Sequence, residues 1–179
     1  MPDVFTVLGD DHRKVLATLD ALEAATTHAS SKAELITQLV IDESRHEAIE
    51  ELYFWPTVQE RAELGDVLAQ RAIDQEQMAK QMLDGLEGTS GVERDRLVQQ
   101  FAAAAREHIA YEQDEVWTRL RPELSAMEAE ELGARLTEAK AKAPTRPHPH
   151  TPPSPTVLRT AGPVAAAVDK VRDAIRGRG

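Results

Sequence analysis

The 179-residue chain contains no cysteine. That excludes disulfides, iron–sulfur clusters, thiolate zinc sites and a cysteine nucleophile. Any metal would have to be held by imidazole, carboxylate or solvent, a donor set suited to Fe, Mn, Zn or Cu. Basic residues are also short: 21 Lys and Arg stand against 31 Asp and Glu, for a net charge of −10 and a pI near 5.1. A nucleic-acid-binding core would normally be basic, so that class is set aside. No apolar run approaches the roughly 18 residues of a transmembrane helix. The start, MPDVFTVLGDDHRK, carries acids where a signal peptide needs a basic stretch and an apolar run. The expectation is a soluble cytoplasmic protein without stable membrane association.

Proline is scarce before residue 143, with only Pro2, Pro56 and Pro122, and dense after it, in APTRPHPHTPPSP. The expected division is a helical domain at 1–142, an extended linker at 143–163 and a short basic amphipathic helix at 164–179. That last helix carries the stripe Val164, Val168, Val171 and Ile175, and a loosely attached, flexible tail is expected. Charge divides with it: residues 1–142 hold 15 basic and 29 acidic groups, net −14, and the remainder six and two, net +4.

Within the domain the apolar spacing is helical throughout. Helix one is predicted over about Asp3–Thr27, with Leu8, Val15, Leu16, Leu19 and Leu22 inward. Ser30–Ser31 are expected to cap helix two, which Pro56 should kink or narrow. Helix three is predicted over about Asp66–Glu87, ending at the Gly88–Gly91 turn. Helix four runs to Arg121-Pro122. Ser125 and Glu128 make a capping box for a shorter fifth helix ending near Lys142. Long helices joined by short loops imply an all-α, up-down-up-down antiparallel four-helix bundle.

Polar residues interrupt the inward stripes at His12, His46, Glu50, Glu76, His108 and Glu112. Buried carboxylates are costly unless a cation or strong hydrogen bonds satisfy them. His46/Glu50 and His108/Glu112 share the spacing i, i+4, which sets both side chains on one helical face. In an antiparallel hairpin, residues equidistant from the loop lie at one depth. His12 and His46 have their midpoint at 29, Glu50 and Glu76 at 63, and Glu76 and His108 at 92, each in or beside a predicted turn. The six groups therefore fall in one layer, within about a helical turn of 5.4 Å. A faint duplication supports this. LDALEA at 19–24 returns as LDGLEG at 83–88, an offset of 64 that pairs His12 with Glu76. His46, Glu50 and Trp55 pair with His108, Glu112 and Trp117 at an offset of 62. Two such hairpins make a two-fold-like cage sized for two metal ions.

The segments DDHRKVL, RHEAIEELYFWPTV, IDQEQMAKQMLDGLE and REHIAYEQDEVWTRL resemble the hemerythrin-like family of HHE cation-binding bundles, over roughly residues 3–142. The linker and basic end resemble those of actinobacterial members. The resemblance implies a non-haem di-iron centre with His12, His46, Glu50, His108 and Glu112 as ligands. Glu50 and Glu112 would bridge, and O2, peroxide or nitric oxide would be the small ligand. The family's helix-three histidine is absent, and Glu76 stands at its depth, with Gln75 and Gln77 beside it. Three carboxylates should favour the ferric state and oxidation or peroxide chemistry over reversible O2 carriage. Thr118 also departs from the family's frequent proline.

Among the remaining residues, Glu43, Glu47 and Glu51 are expected on the solvated face of helix two, with Glu47 a minor candidate for a place behind the ligands. Tyr53, Trp55, Tyr111 and Trp117 are expected to pack, and His148 and His150 to be solvated. The tail could dock on its own acidic bundle, bind a protein partner or lie on an anionic membrane surface, the last being the weakest reading for one short helix with few aromatics. Two other functions remain open: iron or oxygen sensing without turnover, and a degenerate, metal-free structural bundle.

Overall fold

The computed structural model describes residues 1–24, 29–150 and 165–174. Among these, every regular element is helical. Helix α1 is Val4–Glu23; Asp3 caps it, its Oδ1 accepting from the Thr6 N–H at 2.7 Å. Leu8, Val15, Leu19 and Leu22 are its buried stripe, as the spacing predicts. Helix α2 is Ala29–Ile49, so Ser30 and Ser31, expected at its cap, lie inside its first turn. Of the expected first loop, Thr27–Ser31, the part from Ala29 on is helix and the rest lies outside the described residues.

At Glu50 the helix widens into a π turn, Glu50–Phe54, and continues as α3, Trp55–Arg61. Leu64, in the left-handed region at φ 59°, reverses the chain into α4, Gly65–Gly88. Gly65 is required there, because a Cβ would overlap the Val58 carbonyl. Helix α5 is Gly91–Tyr111, followed by a second π turn, Glu112–Val116, the short α6, Trp117–Leu120, and a 3-10 turn, Arg121–Glu123. The two π turns begin at the two glutamates paired by the 62-residue offset. In each, a tryptophan N–H bonds back to the glutamate carbonyl, Trp55 to Glu50 and Trp117 to Glu112. Pro56 follows only the first turn, and Thr118 holds its place in the second. Proline is therefore not what widens the helix, and the expected kink belongs to the repeat.

Helix α7, Ala126–Lys140, starts with the predicted capping box. The Glu128 N–H donates to Ser125 Oγ at 3.3 Å, and the Ser125 N–H donates to Glu128 Oε2 at 2.8 Å. It packs on α1, where Gly133 admits the N-terminal strand of chain. A Cβ there would stand 2.5 Å from Pro2 O. The long helical runs alternate in direction as an up-down-up-down bundle, with two apolar clusters along its axis. One joins Val4, Leu8, Ile49, Phe54, Trp55, Val58 and Val116; the other joins Val15, Leu19, Leu39, Leu83 and Phe101. The polar layer lies between them.

The chain after α7 does not behave as a solvated linker over its described part. Ala143, Thr145, Arg146 and Pro147 are buried, and Gln77 Nε2 donates to Pro149 O at 2.5 Å. Helix α8, residues 165–174, docks on this strap. Asp169 accepts from the Thr145 N–H at 3.1 Å, and Asp173 accepts from Thr145 Oγ at 2.6 Å and from Arg146 at 2.8 Å. Its buried face is thus Ala166, Asp169 and Asp173, while Val168 and Val171 are exposed. This reverses the expected stripe, whose other members, Val164 and Ile175, lie outside the described residues. Paired carboxylates can be buried where unpaired ones cannot, and apolar spacing alone does not show which face has partners. The strap also covers part of α2. Glu47 and Glu51, expected in solvent, are buried against it, as is Glu43 nearby, and Lys80 from α4 pairs with Glu51. His148 is half-buried, 3.2 Å from Asp169, rather than free in solvent.

Candidate metal centre

All six predicted residues meet. Glu50 and Glu112 are fully buried, His12, His46 and Glu76 nearly so, and His108 partly. Two groups of potential ligand atoms, each with all members within 4.8 Å of one another, share Glu50. One is His12, His46, Glu50 and Glu112; the other is Glu50, Glu76 and His108. His12 Nε2 lies 2.9 Å from Glu112 Oε2, His46 Nε2 3.3 Å from Glu50 Oε2, and His108 Nε2 3.9 Å from Glu76 Oε1. The helix-three residue that joins these groups is Glu76; Gln75 turns to the outer side of His108 and Gln77 to the chain after α7.

Each histidine has a polar group from a different helix at its outer nitrogen, hydrogen-bonded for His12 and His108 and at ion-pair distance for His46. His46 Nδ1 faces Asp11 Oδ2 at 3.5 Å, and Lys140 pairs with the other Asp11 oxygen. His12 Nδ1 meets the Gln113 amide at 2.9 Å, and His108 Nδ1 meets Gln75 Oε1 at 3.2 Å. An imidazole fixed in this way offers its Nε2 inward. Two indoles do the same for carboxylates: Trp55 Nε1 donates to Glu76 Oε1 at 2.5 Å, and Trp117 Nε1 donates to Glu112 Oε1 at 2.6 Å. The tryptophans pack, as expected, and also hold the site. Asp11, Gln75 and Gln113 were not singled out for these roles by sequence. Each sits one position from a stripe residue, and that adjacency is the only signal they carry.

What remains unpartnered is telling. Both oxygens of Glu50, Glu76 Oε2, Glu112 Oε2 and the Nε2 atoms of all three histidines are buried without a hydrogen-bond partner. Burial and the charges of Glu112 and Glu76 push the Glu50 carboxyl well above its usual range. Burial, with the charge of Glu51, does the same to Glu76. Burial works against ionised Glu112 too, but the imidazoles of His12, His108 and His46 together outweigh it and hold that carboxyl low. Burial pulls His108 down to about 4, leaving a neutral imidazole with a free lone pair. Nitrogen and oxygen groups thus converge, buried and without hydrogen-bond partners, an arrangement a cation satisfies.

The sequence model described as the hemerythrin HHE cation-binding domain matches residues 3–120. The chain belongs to this family. An uncharacterised hemerythrin-like protein of Schizosaccharomyces pombe is 25% identical over 166 residues, covering 91% of this chain and 81% of that protein. The crystal structure of a hemerythrin HHE cation-binding domain-containing protein from Mycobacterium kansasii superposes with a TM-score of 0.68 at 19% identity. It covers 94% of this chain and 99% of that one. Among the described residues, no helix is long and apolar enough to cross a membrane.

Proposed function

We propose that this HHE domain holds two iron ions and acts on O2, hydrogen peroxide or nitric oxide. The observation that carries the reading is the pair of donor groups joined through Glu50, whose two oxygens are both buried and unpartnered. His12, His46, Glu50 and Glu112 would hold one ion, and Glu50, Glu76 and His108 the other. Iron bound there would supply a redox couple and a coordination position for the small ligand. Glu50, common to both groups, would be the carboxylate shared by the two ions. Glu112, expected as a second bridge, has one oxygen engaged by Trp117 and belongs to the first group only.

The protein's own contribution is orientation and exclusion of water. Asp11, Gln113 and Gln75 hold the imidazoles, Trp55 and Trp117 hold the carboxylates, and the two apolar clusters close the layer above and below. With Glu76 in place of a histidine, three carboxylates favour the ferric state. Metal analysis and an optical spectrum of aerobically purified protein test the reading. About two irons per chain with near-ultraviolet charge-transfer bands are expected. Iron-free protein whose melting is unchanged by anaerobic Fe(II) overturns it.

A further inference from the structure

Helix α4 turns one face away from the bundle. Val67, Arg71, Asp74 and Met78 fall on it at i, i+4, i+7 and i+11, one stripe along three turns. All four are exposed, the two hydrophobics strongly so, Val67 at 67% and Met78 at 54%. They line one open surface groove, with Gln70 and Gln75 on its flanks. The alternate positions Leu68, Ala69, Ala72 and Glu76 are buried, so the stripe is the outer half of a two-faced helix.

The order of the stripe sets it apart from scattered exposed hydrophobics, which are ordinary. Val67 and Met78 are equidistant from the midpoint between residues 72 and 73, and so are Arg71 and Asp74. The face reads apolar, basic, acidic, apolar. Turned end over end about a two-fold axis at that midpoint, it meets itself with Val67 on Met78 and Arg71 on Asp74, each pair made twice. A parallel pairing would set Arg71 against Arg71 and Asp74 against Asp74. The charges are also available. The Arg71 guanidinium lies 4.0 Å from the centre of the Tyr111 ring, and Asp74 accepts from Gln70 Nε2 at 2.8 Å. Neither has an opposite charge as partner among the described residues. Contact with Tyr111 already restrains Arg71, so less freedom is lost on pairing.

We propose that this face of α4 is the contact between two copies of the chain, packed antiparallel about a two-fold axis between residues 72 and 73. The contact forms with or without metal. One helix against one helix is a small interface, so association is of the transient class, with a dissociation constant of about micromolar or weaker. Gln75, whose Oε1 meets His108 Nδ1, stands at the edge of the face, so the interface borders the metal layer without entering it.

Sedimentation equilibrium of the full chain over about 10 to 500 µM tests this. The wild type should shift from monomer toward dimer across that range. Arg71→Asp sets like charges opposite each other at two places in the contact, and Asp74→Arg does so with the other sign. Each should weaken association by about tenfold or more. Mixed one to one, the two variants complement each other and should form a heterodimer at least as readily as the wild type self-associates. The double variant, with the charges exchanged, should dimerise again. Val67→Lys leaves both charges in place but sets an ammonium against Met78, and should weaken association by a similar factor. All three positions are exposed, so each variant should melt with the wild type. A wild type that stays monomeric throughout, single variants that associate as tightly as the wild type, or a mixture of Arg71→Asp and Asp74→Arg that remains monomeric overturns the inference. The first of these leaves the face to a different protein or to none, and the metal reading stands or falls separately.

Discussion

Asp11 shows how much of the site is carried by residues that touch no ligand atom directly facing the centre. It sits next to His12 on α1 but orients His46 on α2, and Gln113, next to Glu112, orients His12. Each helix thus holds the imidazole of another, so the donors are set before metal arrives. Asp11→Ala should weaken metal binding by about 10- to 100-fold while the metal-free protein stays helical. Equilibrium titration with circular dichroism on the same sample checks both halves. Glu76 permits a sharper test. Glu76→His removes one anionic donor and restores the donor type implied by the family, so it should raise the ferric/ferrous midpoint potential, measured by spectroelectrochemistry. An unchanged potential would mean that Glu76 carries no charge to the metal. Glu76 was legible in the sequence because hairpin geometry fixes its depth regardless of residue type. The orienting residues were not, since Asp and Gln beside an inward residue look like the polar edge of any amphipathic helix.

At the scale of elements, the helices follow from apolar period and caps, and the differences arise where a third partner intervenes. The π turns at Glu50 and Glu112 were invisible to periodicity because a single wide turn changes the phase by less than a short apolar run can report. Their cause is in the repeat shared by Glu50–Trp55 and Glu112–Trp117, and such turns are common at functional sites. The capping box of α7 was legible, because it is local in sequence. Ser125→Ala should lower stability by about 1 kcal/mol, or about 2–4 °C in melting temperature. Glu128 adds a pH signature. Its bonds to Arg61 and Ser125 hold the carboxyl at about 2, below the ordinary 4.5. A depressed carboxyl contributes stability that is fully present above 4.5 and is lost as pH falls toward 2. Glu128→Gln should therefore narrow its melting difference from the wild type over that window, and a constant difference would exclude the ionic part. Gly133 is a steric counterpart. Gly133→Ala drives a methyl into the backbone of Pro2–Val4 and should destabilise by about 1–3 kcal/mol.

Across the whole molecule, charge separation and the buried layer act together. The bundle carries −14, and part of that excess is the three carboxylates enclosed between two apolar clusters. Such a layer is unfavourable alone, so folding and cation binding are coupled: a cation that binds only the folded chain stabilises it by mass action. At about a hundredfold excess over the dissociation constant the gain is about 2.7 kcal/mol, which for a chain of this length corresponds to about 5–11 °C. The tail contributes by a different route. Arg146 bridges Glu87 on α4 and Asp173 on α8, so the strap ties the C-terminal helix to the bundle wall above Glu47 and Lys80. The sequence signalled a basic end suited to an acidic body, but the contact is made by Thr145 and Arg146 of the strap with the inward aspartates of α8, which composition alone did not distinguish from a solvated linker. Arg146→Ala should release α8 before the bundle melts, seen as fast amide exchange confined to residues 165–174 with the metal-induced rise in melting temperature retained. If exchange also accelerates along α2 and the metal-induced rise is lost, the strap is part of the wall that keeps the centre closed and not only an anchor for the tail.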